Sequence, residues 1–307
     1  MKINVLYNPK ASGMNAEVLE KVRKELQIVG EVTLKESTYK GHIIDLSKES
    51  NETSDWIITL GGDGTFGEAF KGLGDVTQKA NYTHISMGTA NDTAHNFNLA
   101  PGNIDKSLEL LKKVEETDVD MISVNDIPFG YVSALGTFSK VTYSTPAYLK
   151  KTLGKFGYYL FSGISCLSEV PNLFNPMQIR YSKNGEIIYT KALTTIVSNT
   201  TTFGGFKLYP SAKINDGLFE VTILKSLPIG KMNQILPELM ENGAQNFDIA
   251  SYPENLDTFQ TDYLEISSDS FKEKESLNHD GDECQIPLED DKLTYKVKKK
   301  LKMLLPR

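Results

Sequence analysis

The stretch Asp55-Trp56-Ile57-Ile58-Thr59-Leu60-Gly61-Gly62-Asp63-Gly64-Thr65-Phe66-Gly67-Glu68 decides how this chain is read. Residues 56–60 form a short apolar run, which suits a strand covered on both faces. Two glycines then end it. Gly61-Gly62-Asp63-Gly64 places three residues without a Cβ in four, so the backbone is free to take positive φ and to come close to a bulky anion. A helix entered over 63–68 would turn its free N–H groups and the positive end of its dipole toward that anion. A phosphate is the expected guest. Asp63 is expected on the side of a Mg²⁺ ion, because magnesium bridges carboxylates to nucleotide oxygens. Taken alone, the tetrapeptide also fits a plain tight turn between a strand and a helix.

Working outward, residues 3–7 predict a first strand, closed by the turn formers Asn8-Pro9-Lys10-Ala11-Ser12-Gly13. Residues 16–29 carry Val18, Leu19, Val22, Leu26 and Val29 at helical spacing, with charges opposite. A strand over 32–35, a helix over 41–50 and a strand over 83–87 continue the alternation. The last of these runs into Gly88-Thr89-Ala90-Asn91-Asp92-Thr93-Ala94, and an amphipathic helix follows over 105–114. Alternating strands and helices predict a mostly parallel sheet with ligand loops at the carboxyl ends of its strands.

From about residue 118 the pattern changes to period-two alternation, in 119–124, 178–181 and 189–197, with the turn Lys183-Asn184-Gly185. A helix over 229–242 and strands over 264–267 and 293–297 complete the reading. The expected fold class is thus α/β with two domains: a Rossmann-like α/β domain over 1–117, completed by 298–307, and an antiparallel β-sandwich-like domain over 118–297. The basic run over 296–302 fits a solvated end.

The chain has 307 residues, 39% of them hydrophobic and 24% charged, which is ordinary for a globular protein with real cores. A net charge of −7 argues against nucleic-acid binding, which usually needs a basic face. Cys166 and Cys284 lack the spacing of a metal site or a disulfide scaffold. The first apolar run is too short for a signal peptide and no span is long enough to cross a bilayer, so a cytoplasmic protein is expected. Residues 146–170 interleave Tyr148, Phe156, Tyr158, Tyr159 and Phe161 with Lys150, Lys151 and Lys155. That mixture suits peripheral contact with the inner, anionic face of a membrane, or a core helix whose lysines snorkel.

The ordered set of Asn8-Pro9 with Ser12-Gly13, Gly61-Gly62-Asp63-Gly64-Thr65 with Glu68, Gly88-Thr89 with Asn91-Asp92, Asp216-Gly217-Leu218, and Asp280-Gly281-Asp282 resembles the bacterial diacylglycerol kinase family, which is related to sphingosine kinases and more distantly to NAD kinases. The resemblance spans nearly the whole chain. It implies that ATP is surrounded by Asn8, Pro9, Ser12, Gly13, Thr38, Gly61, Gly62, Asp63, Gly64, Thr65, Phe66, Gly67, Glu68, Thr89, Asn91 and Asp92, bound between the domains. It implies a magnesium ion in the second domain held by Asp216 with the backbone carbonyls of Lys213 and Leu218, although Asn215-Asp216-Gly217 also fits a hairpin turn. The resemblance implies a catalytic role for Asp280, the candidate base, and a functional role for Asp282 two positions later, and it leaves open which of the two takes the proton. The same residues also fit a plain acidic turn. His279, beside them, is expected at the surface.

The chain departs from the family pattern in four places: the extra residue in Lys10-Ala11, Gly67 in place of Asn, Ser86 in place of Pro, and Asp282 in place of Glu. The resemblance implies phosphate transfer from ATP to the hydroxyl of a membrane lipid such as diacylglycerol, with acyl chains held in the β-rich domain. Residue types alone leave a sphingoid lipid, a soluble acceptor such as NAD, and a non-catalytic nucleotide- or lipid-binding regulator as alternatives. A homodimer is the commonest symmetric assembly for such a chain.

Overall fold

The structure is a computed structural model that describes residues 1–88, 91–136, 176–201, 209, 211–225 and 255–307. The expected helix over 229–242, the aromatic and basic segment 146–170, and Cys166 lie outside the described residues. The chain forms two compact units, Met1–Met121 with Lys299–Arg307, and Ile122–Lys298.

In the first unit, strands β1 (Lys2–Tyr7), β2 (Glu31–Glu36), β3 (Trp56–Gly61) and β4 (Asn81–Ser86) pair in parallel in the order β2-β1-β3-β4. The end of β16 (Lys292–Pro306) joins parallel to β4, with Met303 opposite Tyr82. β3 is buried along its whole length, as its apolar run predicts. On one face, helix α1 (Ala16–Gln27) sets Val22 and Leu26 against Ile3, Val5, Trp56 and Ile58. Its amino end is capped by Asn15, whose Oδ1 accepts from the Val18 N–H at 2.9 Å. Val29, expected to continue the apolar stripe, lies beyond the helix and is exposed.

Helices α2 (His42–Thr53) and α3 (Asp63–Gly74) pack together, and α3 buries Phe66 and Phe70. Phe66 stacks on Phe70 at 4.7 Å and meets the edge of the His84 ring at 5.5 Å. Short helices α4 (Asp92–Asn96) and α5 (Ile104–Leu110) follow β4.

The second unit is a β-sandwich. One layer runs β12 (Leu256–Thr261), β11 (Phe219–Leu224), β10 (Thr194–Ser198), β7 (Val132–Gly136), β14 (Lys274–His279) and β15 (Asp282–Pro287), antiparallel throughout. The other is built from the end of β5 (Val114–Val124), β6 (Ile127–Phe129), β8 (Met177–Lys183), β9 (Glu186–Ala192), β13 (Tyr263–Ser267) and the start of β16. Inward side chains of both layers, among them Phe129, Tyr181, Val197, Val221, Leu277 and Tyr295, form one core. Two-residue turns with positive φ at Asn184 and Gly185, and at Asp280 and Gly281, close the β8–β9 and β14–β15 hairpins.

Two expectations need correction. The stretch 189–197 is not one strand but two, because the chain changes layer at Leu193, whose N–H bonds to the Leu224 carbonyl at 2.7 Å. The basic run 296–302 is not a loose end but the middle of β16. Leu301, Met303 and Leu305 alternate inward, while the lysines pair with acids of β5 and its turn: Lys296 with Asp126 at 2.9 Å, Lys300 with Asp120, and Lys302 with Glu116 at 2.8 Å.

Beneath α3, Thr59 Oγ1 lies 2.8 Å from the Tyr82 hydroxyl and 2.9 Å from His84 Nδ1. Burial holds His84 neutral and pushes it down to about 3 from 6.5. Its Nε2 has no hydrogen-bond partner among the described residues. The unfolded chain therefore binds the extra proton between these two values, and stability falls as pH drops below 6.5. The expected loss from this group is at most about 1.4 kcal/mol per pH unit. Urea unfolding of the parent and of His84→Gln between pH 7 and about 5 checks this: the variant should lose the acid-dependent slope, and an unchanged slope would assign it elsewhere.

Candidate active site

Three loops leave the carboxyl ends of β1, β3 and β4 and meet backbone to backbone. The Met87 N–H donates to the Gly61 carbonyl at 2.6 Å, and the Met87 carbonyl accepts from the Gly13 N–H and from Ser12 Oγ, each at 3.3 Å. The Asn8 N–H donates to the Leu60 carbonyl at 3.2 Å. A Cβ on Gly88 would stand 2.6 Å from the Gly62 Cα, so the loop after β4 tolerates no side chain there.

The reason for the glycines differs from the expected one. Gly61, Gly62 and Gly64 are not among the residues at positive φ, and what Gly61 and Gly62 supply is close approach. Gly62 is the N-cap of α3 and no side chain caps the helix, so the first-turn N–H groups from Asp63 to Thr65 point out of its amino end.

Other expected site residues act on the loops themselves. Asp63 Oδ1 accepts from the Thr93 N–H at 3.0 Å and its hydroxyl at 2.7 Å, tying the start of α3 to the start of α4. Asp63 Oδ2 has no bond among the described residues. Asn91 is buried. Its Oδ1 takes Ser86 Oγ at 2.6 Å and the Gly88 N–H at 2.7 Å, and its Nδ2 donates to the Gly88 carbonyl at 2.8 Å. Asn8 Oδ1 accepts from the Lys10 N–H at 2.9 Å, beside an exposed Pro9. Glu68 turns to the amino end of α2, accepting from the Gly41 N–H at 2.9 Å and the Ile43 N–H at 3.3 Å.

Phe66 is wholly in the core, so its side chain lies away from the loops; Thr65 and Gly67 are buried, and Asp92 is buried in the first turn of α4. Thr38 is exposed after β2, its N–H and hydroxyl on His42 Nδ1 at 3.1 and 3.2 Å. Thr89 lies outside the described residues. The sequence reading missed Thr93 and the Met87 backbone, and also the Tyr39 ring, exposed and stacked on His42 at 4.3 Å beside Thr38. An aromatic three residues before a histidine in a turn was the available signal.

In the second unit, Asp280 is the first residue of the β14–β15 turn and is 3% exposed. Its Oδ2 accepts from the Gly130 N–H at 2.7 Å, and its Oδ1 from the N–H groups of Tyr131 at 2.9 Å and Val132 at 3.2 Å. The turn was expected as one of two readings, and Asp280 serves as turn former and as threefold acceptor at once. Asp282 opens β15 and is half-buried. His279, expected at the surface, is fully buried with its ring 5.2 Å from Phe129, because it points to the core face of β14.

Asp216 stands on an exposed bend leading into β11, with Gly217 at φ +79°, so the hairpin alternative is not what forms. Its Oδ1 accepts from the Leu218 N–H at 3.1 Å. Lys213 is exposed and Leu218 half-buried on the same bend. Two residues further on, Glu220 is 4% exposed, and Gln260 Nε2 donates to its Oε1 at 2.9 Å. Burial pushes the Glu220 carboxyl up to about 7, the Gln260 bond opposing and the Asp216 charge adding. Among the described residues no group of three or more His, Cys, Asp or Glu side chains is arranged to hold a metal, and no helix is long and apolar enough to cross a membrane.

These features coincide with what comparison finds. Residues 2–124 match the diacylglycerol kinase catalytic domain, and residues 149–271 match the YegS C-terminal NAD kinase beta sandwich-like domain. A diacylglycerol kinase of Staphylococcus carnosus is 25% identical over 274 residues, covering 83% of this chain and 88% of that one. One from Staphylococcus saprophyticus is 27% identical over 239 residues, 76% of each chain. A crystal structure described as a diacylglycerol kinase from Bacillus anthracis shares the fold with a TM-score of 0.72 at 19% identity, over 99% of this chain and 96% of that one. The uncapped α3 with its clasped glycine loops thus lies inside the part of the chain that matches the diacylglycerol kinase catalytic domain, and most of the chain's length is similar to bacterial diacylglycerol kinases.

Proposed function

We propose that this protein transfers the γ-phosphate of ATP to the primary hydroxyl of diacylglycerol, giving phosphatidic acid and ADP. The observation that carries the reading is the uncapped amino end of α3, enclosed by three loops that meet through backbone hydrogen bonds and close glycine contacts. Its N–H groups from Asp63 to Thr65 would take the nucleotide phosphates, and Ser12 and Gly13 stand on the adjoining loop. Asn8, Asn91 and Glu68 act one step back, holding the loops in shape. Thr38 and the exposed Tyr39 ring offer a hydroxyl and a flat apolar face to the nucleoside.

The donors fit magnesium. Among the described residues Asp63 keeps one oxygen unused at the start of α3, and Asp216 keeps one on the bend that also carries Lys213 and Leu218, whose backbone carbonyls would complete an all-oxygen set suited to a hard cation. When bound, Mg²⁺ neutralises charge developing on the transferred phosphoryl group.

The acceptor hydroxyl must lose its proton as its oxygen bonds to phosphorus and the bond to the ADP oxygen breaks. We assign that proton to Asp282, which is half-buried and reachable, and make Asp280 the residue that positions the turn. Lipid is supplied from a membrane surface in this reading, with the protein at the cytoplasmic face.

The second reading, a kinase of a soluble acceptor, is favoured by the NAD kinase likeness of the matched second domain. Phosphate transfer in mixed micelles against diacylglycerol, sphingosine, undecaprenol and NAD separates the two. Product from diacylglycerol is expected, product from NAD alone would establish the second reading, and no transfer to any lipid hydroxyl would end the first.

Asp282→Asn should lower kcat by roughly 10²–10⁴-fold with an unchanged thermal midpoint. Asp280→Asn should behave differently. An amide has one acceptor oxygen, so its NH₂ would face a backbone N–H and cost about 1–3 kcal/mol in urea unfolding, with activity falling alongside stability. Full stability with abolished activity in Asp280→Asn would return the role of base to Asp280.

A further inference from the structure

The carboxylate of Glu220 is buried on β11, and its Oε2 has no hydrogen-bond partner among the described residues. The neighbouring hydroxyls are directed elsewhere. Ser198, directly opposite Glu220 on β10, donates to the Tyr131 carbonyl at 2.9 Å. Tyr209 donates to Thr222 Oγ1 at 2.8 Å, and Thr222 lies 3.2 Å from Thr258 Oγ1. Gln260 donates to the other oxygen, and the backbone N–H of Glu220 itself also favours the charged form. A buried carboxylate oxygen left without a donor is costly, and the nearby charge of Asp216 adds to the cost.

The chain between the two acids is short and directed. Gly217 at φ +79° turns it, and Glu220 follows as the second residue of β11, four positions after Asp216. Asp216 brings an oxygen that makes no bond among the described residues. A hard cation would satisfy the lone pairs of both carboxylates and remove their mutual repulsion, which a water molecule donating to one of them would not.

We infer that Glu220 is a further ligand of a divalent cation held at Asp216, so that this chain closes the site with a second carboxylate from the sandwich strand. The inference rests on the reading of Asp216, Lys213 and Leu218 as a cation site.

The test is calorimetric titration of the full-length, nucleotide-free protein with Mn²⁺ and Mg²⁺, joined to thermal unfolding with and without metal. The parent should bind cation and gain thermal stability from it. Glu220→Gln, nearly isosteric, should bind at least about 10-fold more weakly, which is about 1.4 kcal/mol, while its metal-free form unfolds at a higher temperature than the parent's. Glu220→Asp, which keeps the charge but withdraws it, should also weaken binding and guards against a folding defect peculiar to the amide.

Parental affinity in both Glu220 variants, with binding lost in Asp216→Asn, would remove Glu220 and leave the cation site standing. No binding by the parent would remove both, whereas the phosphate-transfer assay would continue to judge the kinase reading by itself.

Discussion

Gly62 and Gly88 touch through their Cα atoms, and the first unit is arranged so that they can. A Cβ at 2.6 Å from backbone cannot be relieved by rotating a side chain, so the contact excludes every residue except glycine at position 88. Around it, Met87 receives two donors from the loop after β1 and gives its own N–H to Gly61. Asp63 and Asn91 then fix the two flanking helix starts. The loops form one rigid surface because they share bonds, and the amides of α3 remain directed outward because no side chain was placed over them.

The second unit reaches rigidity through turn residues with two tasks. Asn125, at positive φ, donates to the Pro287 and Lys292 carbonyls at 2.7 and 3.0 Å and accepts from the Thr294 N–H at 2.7 Å. Asp280 holds the segment 130–132 by accepting from three of its backbone N–H groups. A short polar side chain is what tolerates the left-handed region, and being short it is held close to backbone donors. The position of Asp282 follows, since it is the residue after a turn that cannot shift without breaking three hydrogen bonds.

Much of this was legible in the sequence, and the misses have physical causes. The strand-loop-helix alternation, the parallel sheet and the start of α3 at Asp63 followed from apolar periodicity and glycine placement. β16 was cut short because five lysines in seven residues outweighed the inward alternation of Leu301, Met303 and Leu305, which becomes visible only once acidic β5 lies alongside. The change of layer at Leu193 leaves no mark in a run that is β-prone on both sides. His279 was misplaced because its acidic neighbours set its expected exposure, whereas strand parity decided it.

The motifs named the right kinds of residue but not the use made of their lone pairs. Asp280, Glu68 and Asn91 have their acceptors engaged by N–H or O–H groups of the protein, which makes them builders of the loops and turns. Asp63 and Asp216 each commit one oxygen to the fold and keep one, and Glu220 keeps one out of water altogether. A carboxylate with both oxygens occupied has little left for a metal ion or a reacting proton, whereas one held by a single oxygen is oriented and still available. Chemistry on this scaffold is therefore assigned by what each carboxylate has left over, a property of the folded chain that no motif spells out.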